Sequence, residues 1–231
     1  MSAIPNTLKA VIFDLDGTLI DTAQEFVVVV QKLRAEHGYD DMDEALIRSN
    51  VSNGARALVA LALDLAETDP VFEDKRLRLL EIYSTVLGDS AKPYPGIEDF
   101  LEQLDDRGIH WGISTNKPRA YAAPLLERLS IKPAPGSVVC PDDVTHRKPH
   151  PEPLYLNCKQ LQCSPHEAIY IGDHIRDIEA GRRAGIYTVA AAYGYIEEHD
   201  DPANWNANAT VQCSTDLAAL ILPEAYISTG K

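Results

Sequence analysis

A chain of 231 residues, 45% hydrophobic and 24% charged, has the composition of a folded globular protein with room for one large domain or a core plus an insert, which excludes a disordered or low-complexity chain. Its formal net charge of -14 sets it against polyanions, so neither nucleic acid nor an anionic membrane is an expected partner, and a site for a phosphorylated ligand needs local positive charge from a metal, a lysine or helix N-termini. Cys140, Cys158, Cys163 and Cys213 form no C-x-x-C pair, and with no leader-like N-terminus and no apolar run long enough to span a bilayer, the expected setting is free thiols in the cytoplasm.

Residues 8–13 (LKAVIF) read as a short buried strand running into the loop composition Asp14-Leu15-Asp16-Gly17-Thr18. Thr22 and Glu25 have capping-box spacing and open a helix to about residue 37, stopped at Gly38. From about 43 to 87 the pattern is helical throughout, with Asp69-Pro70 as N-cap and first residue of its last helix. The block ends near Gly88, and the loop 91–96 (AKPYPG) follows. Helix and strand then alternate: a helix over about 97–107, a strand at 109–115, a helix at 118–129, a short strand at 137–140 and a helix at 153–161. An apolar strand at 168–171 ends in Gly172-Asp173, a helix covers about 177–184, and strands at 187–191 and 209–212 complete the pattern.

Such alternation indicates a parallel sheet covered on both faces, with the first strand separated from the others by a helical block. The expected architecture is an α/β core formed by residues 1–20 and 91–231, with a helical cap, residues 21–90, inserted after the first strand. Ligands of open α/β sheets bind outside the C-terminal strand ends. There this chain places Asp14 and Asp16, then Ser114-Thr115-Asn116-Lys117, then Arg147-Lys148-Pro149, then Gly172-Asp173 with Asp177 one helical turn on.

Convergent carboxylates repel one another and need a cation, and an oxygen-rich, sulfur-free donor set suits Mg²⁺, which pairs readily with a substrate phosphate. Thr115 can donate a hydrogen bond to a phosphoryl oxygen and Lys148 can neutralise its charge. A carboxylate nucleophile can form an acyl-phosphate, and a second carboxyl two residues away can protonate the leaving group and then deprotonate water. Any one of these residues alone reads as a turn, cap or surface residue; their joint occurrence at successive strand ends does not. Asp21 is open between a site role and a helix start.

The run Phe13-Asp14-Leu15-Asp16-Gly17-Thr18-Leu19-Ile20-Asp21 resembles the first motif of haloacid dehalogenase superfamily phosphatases, and Thr115, Lys148 and Gly172-Asp173-x-x-x-Asp177 resemble the second, third and fourth. The resemblance implies a modified Rossmann core with a helical cap, Asp14 as nucleophile and Asp16 as general acid/base. It further implies Mg²⁺ held by Asp14, Asp173 and the Asp16 backbone carbonyl with Asp177 close by, and a phosphoryl group held by Thr115 and Lys148 with Gly17 and Asn116 beside it. Dehalogenases of this superfamily lack an acid at the Asp16 position; phosphosugar mutases keep it.

For the substrate, a small phosphorylated metabolite, two resemblances stand side by side. Residues 52–58 (SNGARAL) resemble the cap loop of phosphoglycolate phosphatases, with Arg56 an expected anchor for a carboxylate. The stretches around Trp111-Gly112, 139–143, 150–154, 193–196 and Asn204-Trp205 are closer to N-acetylmuramic acid 6-phosphate phosphatases of cell-wall recycling. Both substrates carry a carboxylate beside a phosphate monoester. A phosphosugar mutase and a non-catalytic binding module on the same scaffold are the alternatives.

Overall fold

The computed structural model describes residues 4–223. The apolar strand β1 (Ala10–Phe13) leads into a two-residue strand β2 (Ile20–Asp21), followed by helices α1 (Ala23–Glu36), α2 (Glu44–Ser49), α3 (Gly54–Leu63) and α4 (Phe72–Val86). A short β3 (Lys92–Pro93) returns to pair antiparallel with β2. Beyond it come α5 (Ile97–Asp106), β4 (His110–Ser114), α6 (Arg119–Leu129), β5 (Ser137–Val139), α7 (Glu152–Gln160), β6 (Ala168–Gly172), α8 (Ile175–Ala184), β7 (Tyr187–Ala191), β8 (Ala209–Val211) and α9 (Leu217–Ile221).

Six strands form one parallel sheet in the order β5-β4-β1-β6-β7-β8, the doubly wound α/β architecture expected from the alternation. β1 is central and buried along its whole length, which is why it reads as a continuous apolar run rather than an alternating one. Its side chains still alternate between faces. Val11 and Phe13 pack with Phe100, Leu101 and Leu104 of α5, while Ala10 and Ile12 pack with Leu154 of α7 and Ala180 of α8. Phe13 meets Phe100 and Trp111 edge-on at 6.1 and 6.2 Å between ring centroids.

Register decides where the chemistry gathers. Phe13 lies opposite Ile113 on one side and Ile171 on the other, so Asp14, Ser114 and Gly172 leave the sheet at one level. The winding runs from β1 to β4 and β5, then crosses back to β6, which makes the β4-β1-β6 edge the topological switch point of the sheet.

The helical block has its own apolar cluster. Ala23, Phe26, Val27, Val30 and Leu33 of α1 recur at helical spacing and pack with Leu58, Val59, Leu79, Ile82 and Tyr83; the rings of Phe26 and Tyr83 stack at 4.5 Å. Three local expectations need correction. Thr22 and Glu25 form no capping box: Thr22 Oγ1 donates to Asp16 Oδ1 and Glu25 Oε1 accepts the N–H groups of Ser90 and Ala91, so tertiary partners claim both side chains. The block is not helical throughout, since Asp64 takes a left-handed conformation (φ 49°) and α4 begins only at Phe72. Asp69 accordingly does not cap α4; its Oδ1 accepts the Val71 N–H in the preceding turn.

Candidate active site

The residue after β1, the residue after β6 and the first turn of α8 bring Asp14, Asp173 and Asp177 together, with ligand oxygens all within 4.8 Å of one another. Asp173 and Asp177 are buried. Lys148, from the loop between β5 and α7, is buried among them: its Nζ is 2.8 Å from Asp14 Oδ1 and 2.7 Å from Asp177 Oδ1. It also donates to the Ser114 carbonyl and to Tyr170 Oη, each at 2.8 Å. Burial pulls the Lys148 ammonium down, but Asp14 and Asp177 outweigh that and hold it above its ordinary value.

One ammonium does not balance three carboxylates, two of them buried and one partly buried. Burial, with the charge of Asp177, pushes Asp14 up to about 6 against the pull of Lys148. Burial and the charges of Asp14 and Asp177 push Asp173 well above the carboxylate range. Asp177 Oδ2 is buried with no hydrogen-bond partner. An uncompensated cluster of hard oxygens with an orphaned buried atom is what a divalent cation would satisfy, and these residues fit Mg²⁺.

Two glycines make this approach of carboxylates sterically feasible. Gly17 sits at φ 83°, and a Cβ there would come within 2.0 Å of Asp173 Oδ2. A Cβ on Gly172 would come within 2.3 Å of Asp177 Cβ. The Gly17 N–H itself is taken by the Ile20 carbonyl at 2.9 Å, so this residue's contribution in the structure is room for Asp173 rather than a free amide for substrate.

The Asp16 carboxylate is tied to the start of the helical block and to Lys117. Its Oδ1 accepts from Thr22 Oγ1 at 2.7 Å and from Lys117 Nζ at 3.0 Å. Lys117 is buried and lies 5.3 and 4.7 Å from the ring centroids of Phe26 and Tyr83, so aromatics of the helical block hold the lysine that pairs with Asp16. Sequence reasoning quoted Lys117 only as part of a strand end; its place two residues after Thr115 was the available signal. Thr115 Oγ1 accepts the Lys117 N–H at 3.0 Å, leaving the hydroxyl proton available to a ligand. Asn116 Nδ2 donates to the Lys148 carbonyl at 3.1 Å, and its buried Oδ1 is without a partner.

Tyr170 carries no site signal in the sequence, and Ser52 and Tyr195 stand there only within the stretches 52–58 and 193–196, without a role of their own. Tyr170 Oη donates to Asp177 Oδ1 at 2.8 Å from beneath the site. Ser52 Oγ, from the helical block, and the Tyr195 N–H, from the loop after β7, both donate to Asp173 Oδ2, at 3.0 and 2.9 Å. Tyr195 Oη also accepts the N–H groups of Thr22 and Ala23 and donates to Asp21 Oδ1. Asp21 accepts the Ala23 N–H and pairs with Arg48 at 3.0 Å; its role is to start α1 and tie it to α2.

Above the carboxylates lies a cavity of about 610 Å³ lined by Asp14, Asp16, Thr115 and Lys148 from the sheet edge and by Asn53 and Arg56 from the helical block. Arg76, Arg147 and Arg176 also line it. Arg56 is half exposed, pairs with Glu67 at 2.8 Å and Glu73 at 3.6 Å, and lies over the Phe72 ring. Arg176 donates to the Ser52 carbonyl at 2.8 Å and has no carboxylate partner among the described residues.

Residues 11–191 match the family model of haloacid dehalogenase-like hydrolases. The chain belongs to this family. An N-acetylmuramic acid 6-phosphate phosphatase of Pseudomonas aeruginosa is 45% identical over 210 residues, 91% of this chain and 93% of that protein. A phosphoglycolate phosphatase of Xanthomonas campestris is 36% identical over 207 residues, 88% and 92% of the two chains. Among solved structures, one described as a predicted phosphoglycolate phosphatase from Haemophilus somnus superposes with a TM-score of 0.80 at 25% identity, covering 92% of this chain and 97% of that one. This haloacid dehalogenase-like hydrolase is a phosphatase by kinship with such relatives. None of its described helices is long and apolar enough to cross a membrane.

Proposed function

We propose that the chain hydrolyses a phosphomonoester with Mg²⁺ through an aspartyl-phosphate on Asp14, and that its substrate is N-acetylmuramic acid 6-phosphate in preference to 2-phosphoglycolate. The observation that carries the chemistry is the under-neutralised set Asp14, Asp173, Asp177 and Lys148, of which Asp14 and Lys148 line a cavity. Asp14, Asp173 and the Asp16 backbone carbonyl would hold the ion, with Asp177 adjacent. Bound there, Mg²⁺ would supply charge compensation for the phosphoryl oxygens.

In this reading an Asp14 carboxylate oxygen attacks phosphorus while Asp16 gives a proton to the departing alkoxide. Water then attacks the aspartyl-phosphate, Asp16 takes its proton, and inorganic phosphate leaves. Lys148 and the Leu15 N–H, both on Asp14 Oδ1, fix the nucleophile, and the Thr115 hydroxyl and Lys148 ammonium face the phosphoryl group. Thr22 and Lys117 hold Asp16 by Oδ1, leaving Oδ2 for the proton. Asn116 positions Lys148 through its carbonyl.

The division into a core of 1–20 and 91–231 and a cap of 21–90 belongs to the same reading, supported by the separate apolar cluster of the helical block; residues 1–3 and 224–231 lie outside the described residues. The cavity volume falls within the roughly 300–1,000 Å³ range of small-molecule sites, and a two-carbon substrate would leave most of it empty, which favours the sugar. Arg56 would reach a substrate carboxylate by exchanging it for Glu67, with Arg147 and Arg176 beside it. The free cysteines and the acidic composition support a cytoplasmic setting.

The test is phosphate release with Mg²⁺ from the two substrates side by side. A higher kcat/KM for the sugar phosphate is expected; a preference for 2-phosphoglycolate would overturn the substrate assignment, and retention of the phosphoryl group on a sugar product would favour a mutase. Gly17→Ala should lower kcat about 10²-fold or more with the fold intact by circular dichroism, because Asp173 must move by an ångström or more. Wild-type turnover in that variant would remove Asp173 from the mechanism.

Mg²⁺ at about 100 times its Kd should raise the melting temperature by roughly 5–10 °C at neutral pH. The gain should shrink toward pH 5. Without metal the folded chain holds the Asp14 proton above its ordinary 3.8, up to about 6, so that contribution to stability is complete below about pH 4 and is lost as pH rises through 6. Equal gains at pH 5 and 7.5 by scanning fluorimetry would contradict this.

A further inference from the structure

A second group of ligating side chains stands on the loop that carries Lys148. His146 and His150 flank that lysine two residues to either side, and Glu152 is the first residue of α7. His146 Nδ1 lies 3.1 Å, and His150 Nδ1 3.8 Å, from the same carboxylate oxygen, Glu152 Oε2. The two imidazole rings are 4.6 Å apart between centroids, and one ligand atom from each of the three residues falls within 4.8 Å of the others. Metal bonds of about 2.0–2.1 Å at tetrahedral angles hold neighbouring ligands roughly 3.4 Å apart. The two separations to Glu152 Oε2 bracket that value, and the ligand atoms of the two imidazoles lie within 4.8 Å of each other, so an ion needs only side-chain adjustment to be held.

The group is also held in place. Glu152 Oε1 accepts the Thr145 N–H at 2.9 Å and Oε2 accepts the His146 N–H at 3.0 Å, which orients the carboxylate through backbone contacts. The Glu152 N–H points at His150 Nδ1 over a long 3.3 Å. That contact leaves the lone pair on Nδ1, the nitrogen nearer the carboxylate, and puts the ring proton on Nε2. His146 and His150 are 61% and 50% exposed and Glu152 34%, so an ion enters without any opening of the fold.

We propose that His146, His150 and Glu152 form a second divalent-cation site that takes a nitrogen-preferring ion such as Zn²⁺ rather than Mg²⁺. Two imidazoles and a carboxylate are a zinc donor set with a fourth position left to water, whereas Mg²⁺ selects oxygen donors and stays with the three aspartates. Coordination at His146 Nδ1 requires the ring proton on Nε2, so the contact with Glu152 Oε2 is exchanged for a metal bond by a tautomer shift through solvent, and the weak 3.3 Å contact at His150 is given up. Because the ligands straddle Lys148, an occupied site stiffens the loop that carries the phosphoryl-binding ammonium.

The experiment titrates the full, tag-free chain with Zn²⁺ by calorimetry, in saturating Mg²⁺ so that the aspartate cluster is filled. One Zn²⁺ per chain is expected, with affinity falling at least ~10-fold in His146→Ala and in His150→Ala and unchanged in Cys213→Ser, which removes the exposed thiol. Equal stoichiometry and affinity in the histidine variants, or loss in Cys213→Ser, would overturn the assignment. The wild-type chain gives an independent readout: the imidazole ¹H–¹⁵N signals of His146 and His150 should shift together on addition of Zn²⁺, and no shift in either would equally overturn it.

Discussion

Asp14→Asn should leave a folded protein with turnover reduced at least ~10⁴-fold, the scale seen when a nucleophile is removed from a catalytic group that acts as a unit. The substitution is nearly isosteric, and an amide oxygen can still accept from Lys148 and the Leu15 N–H, which hold Oδ1 at 2.8 and 2.7 Å. It also deletes one of three mutually repelling carboxylates, so the metal-free variant should melt no lower than the parent. The combination is what identifies the residue: activity gone, stability kept or raised, secondary structure unchanged by circular dichroism. Turnover within tenfold of the parent would take the nucleophilic role away from Asp14, and a lower melting temperature would mean that the cluster is already neutralised without metal.

Lys148→Ala should be damaging on both counts. The ammonium is the one positive group in direct contact with both Asp14 and Asp177 among the described residues, and it is buried, so no water layer takes its place. Removing one partner of a buried ion pair costs about 3–5 kcal/mol, or roughly 10 °C of melting temperature for a chain of this size. Loss of a charge facing the phosphoryl group should lower kcat by about 10³-fold. Mg²⁺ should recover part of the stability, because it compensates the same carboxylates, but not the rate. Scanning fluorimetry with EDTA and with Mg²⁺ separates these effects. A metal-free melting temperature equal to that of the parent would show that Lys148 does not balance the cluster.

The strand-end residues were legible in the sequence for a physical reason. In a parallel sheet each strand delivers its C-terminal residue to the same edge, so Asp14, Thr115 and Asp173 could be placed together from pattern alone; the register of β4, β1 and β6 sets Asp14 level with Ser114 and Gly172, the residues just before Thr115 and Asp173. Glycine was legible at the stops of α1 and α5 because a left-handed residue is needed there, but its tighter role at Gly17, making room for Asp173, depends on an approach between segments far apart in the chain.

What stayed hidden depends on partners distant in sequence. Tyr170 reads as one more buried strand residue, and only the packing of Lys148 against it shows its hydroxyl at work. Tyr195 lies in an irregular segment without periodicity, yet one side chain and one amide join Asp173 to the start of α1. The β2–β3 ribbon is two residues long on each side, too short to carry a period-2 signal. Thr22 and Glu25 show the converse: a sound local capping pattern was overridden because Asp16 and the Ser90–Ala91 backbone compete for the same side chains.

The most direct test of the central claim is rapid-quench mass spectrometry of the enzyme turning over N-acetylmuramic acid 6-phosphate with Mg²⁺. A transient phosphoryl adduct is expected, confined to the peptide that contains Asp14, formed before phosphate appears and discharged in a chase. Phosphate release with no phosphoryl-enzyme at any time, although the quench preserves an authentic acyl-phosphate control, would contradict it and hand the attack on phosphorus to water.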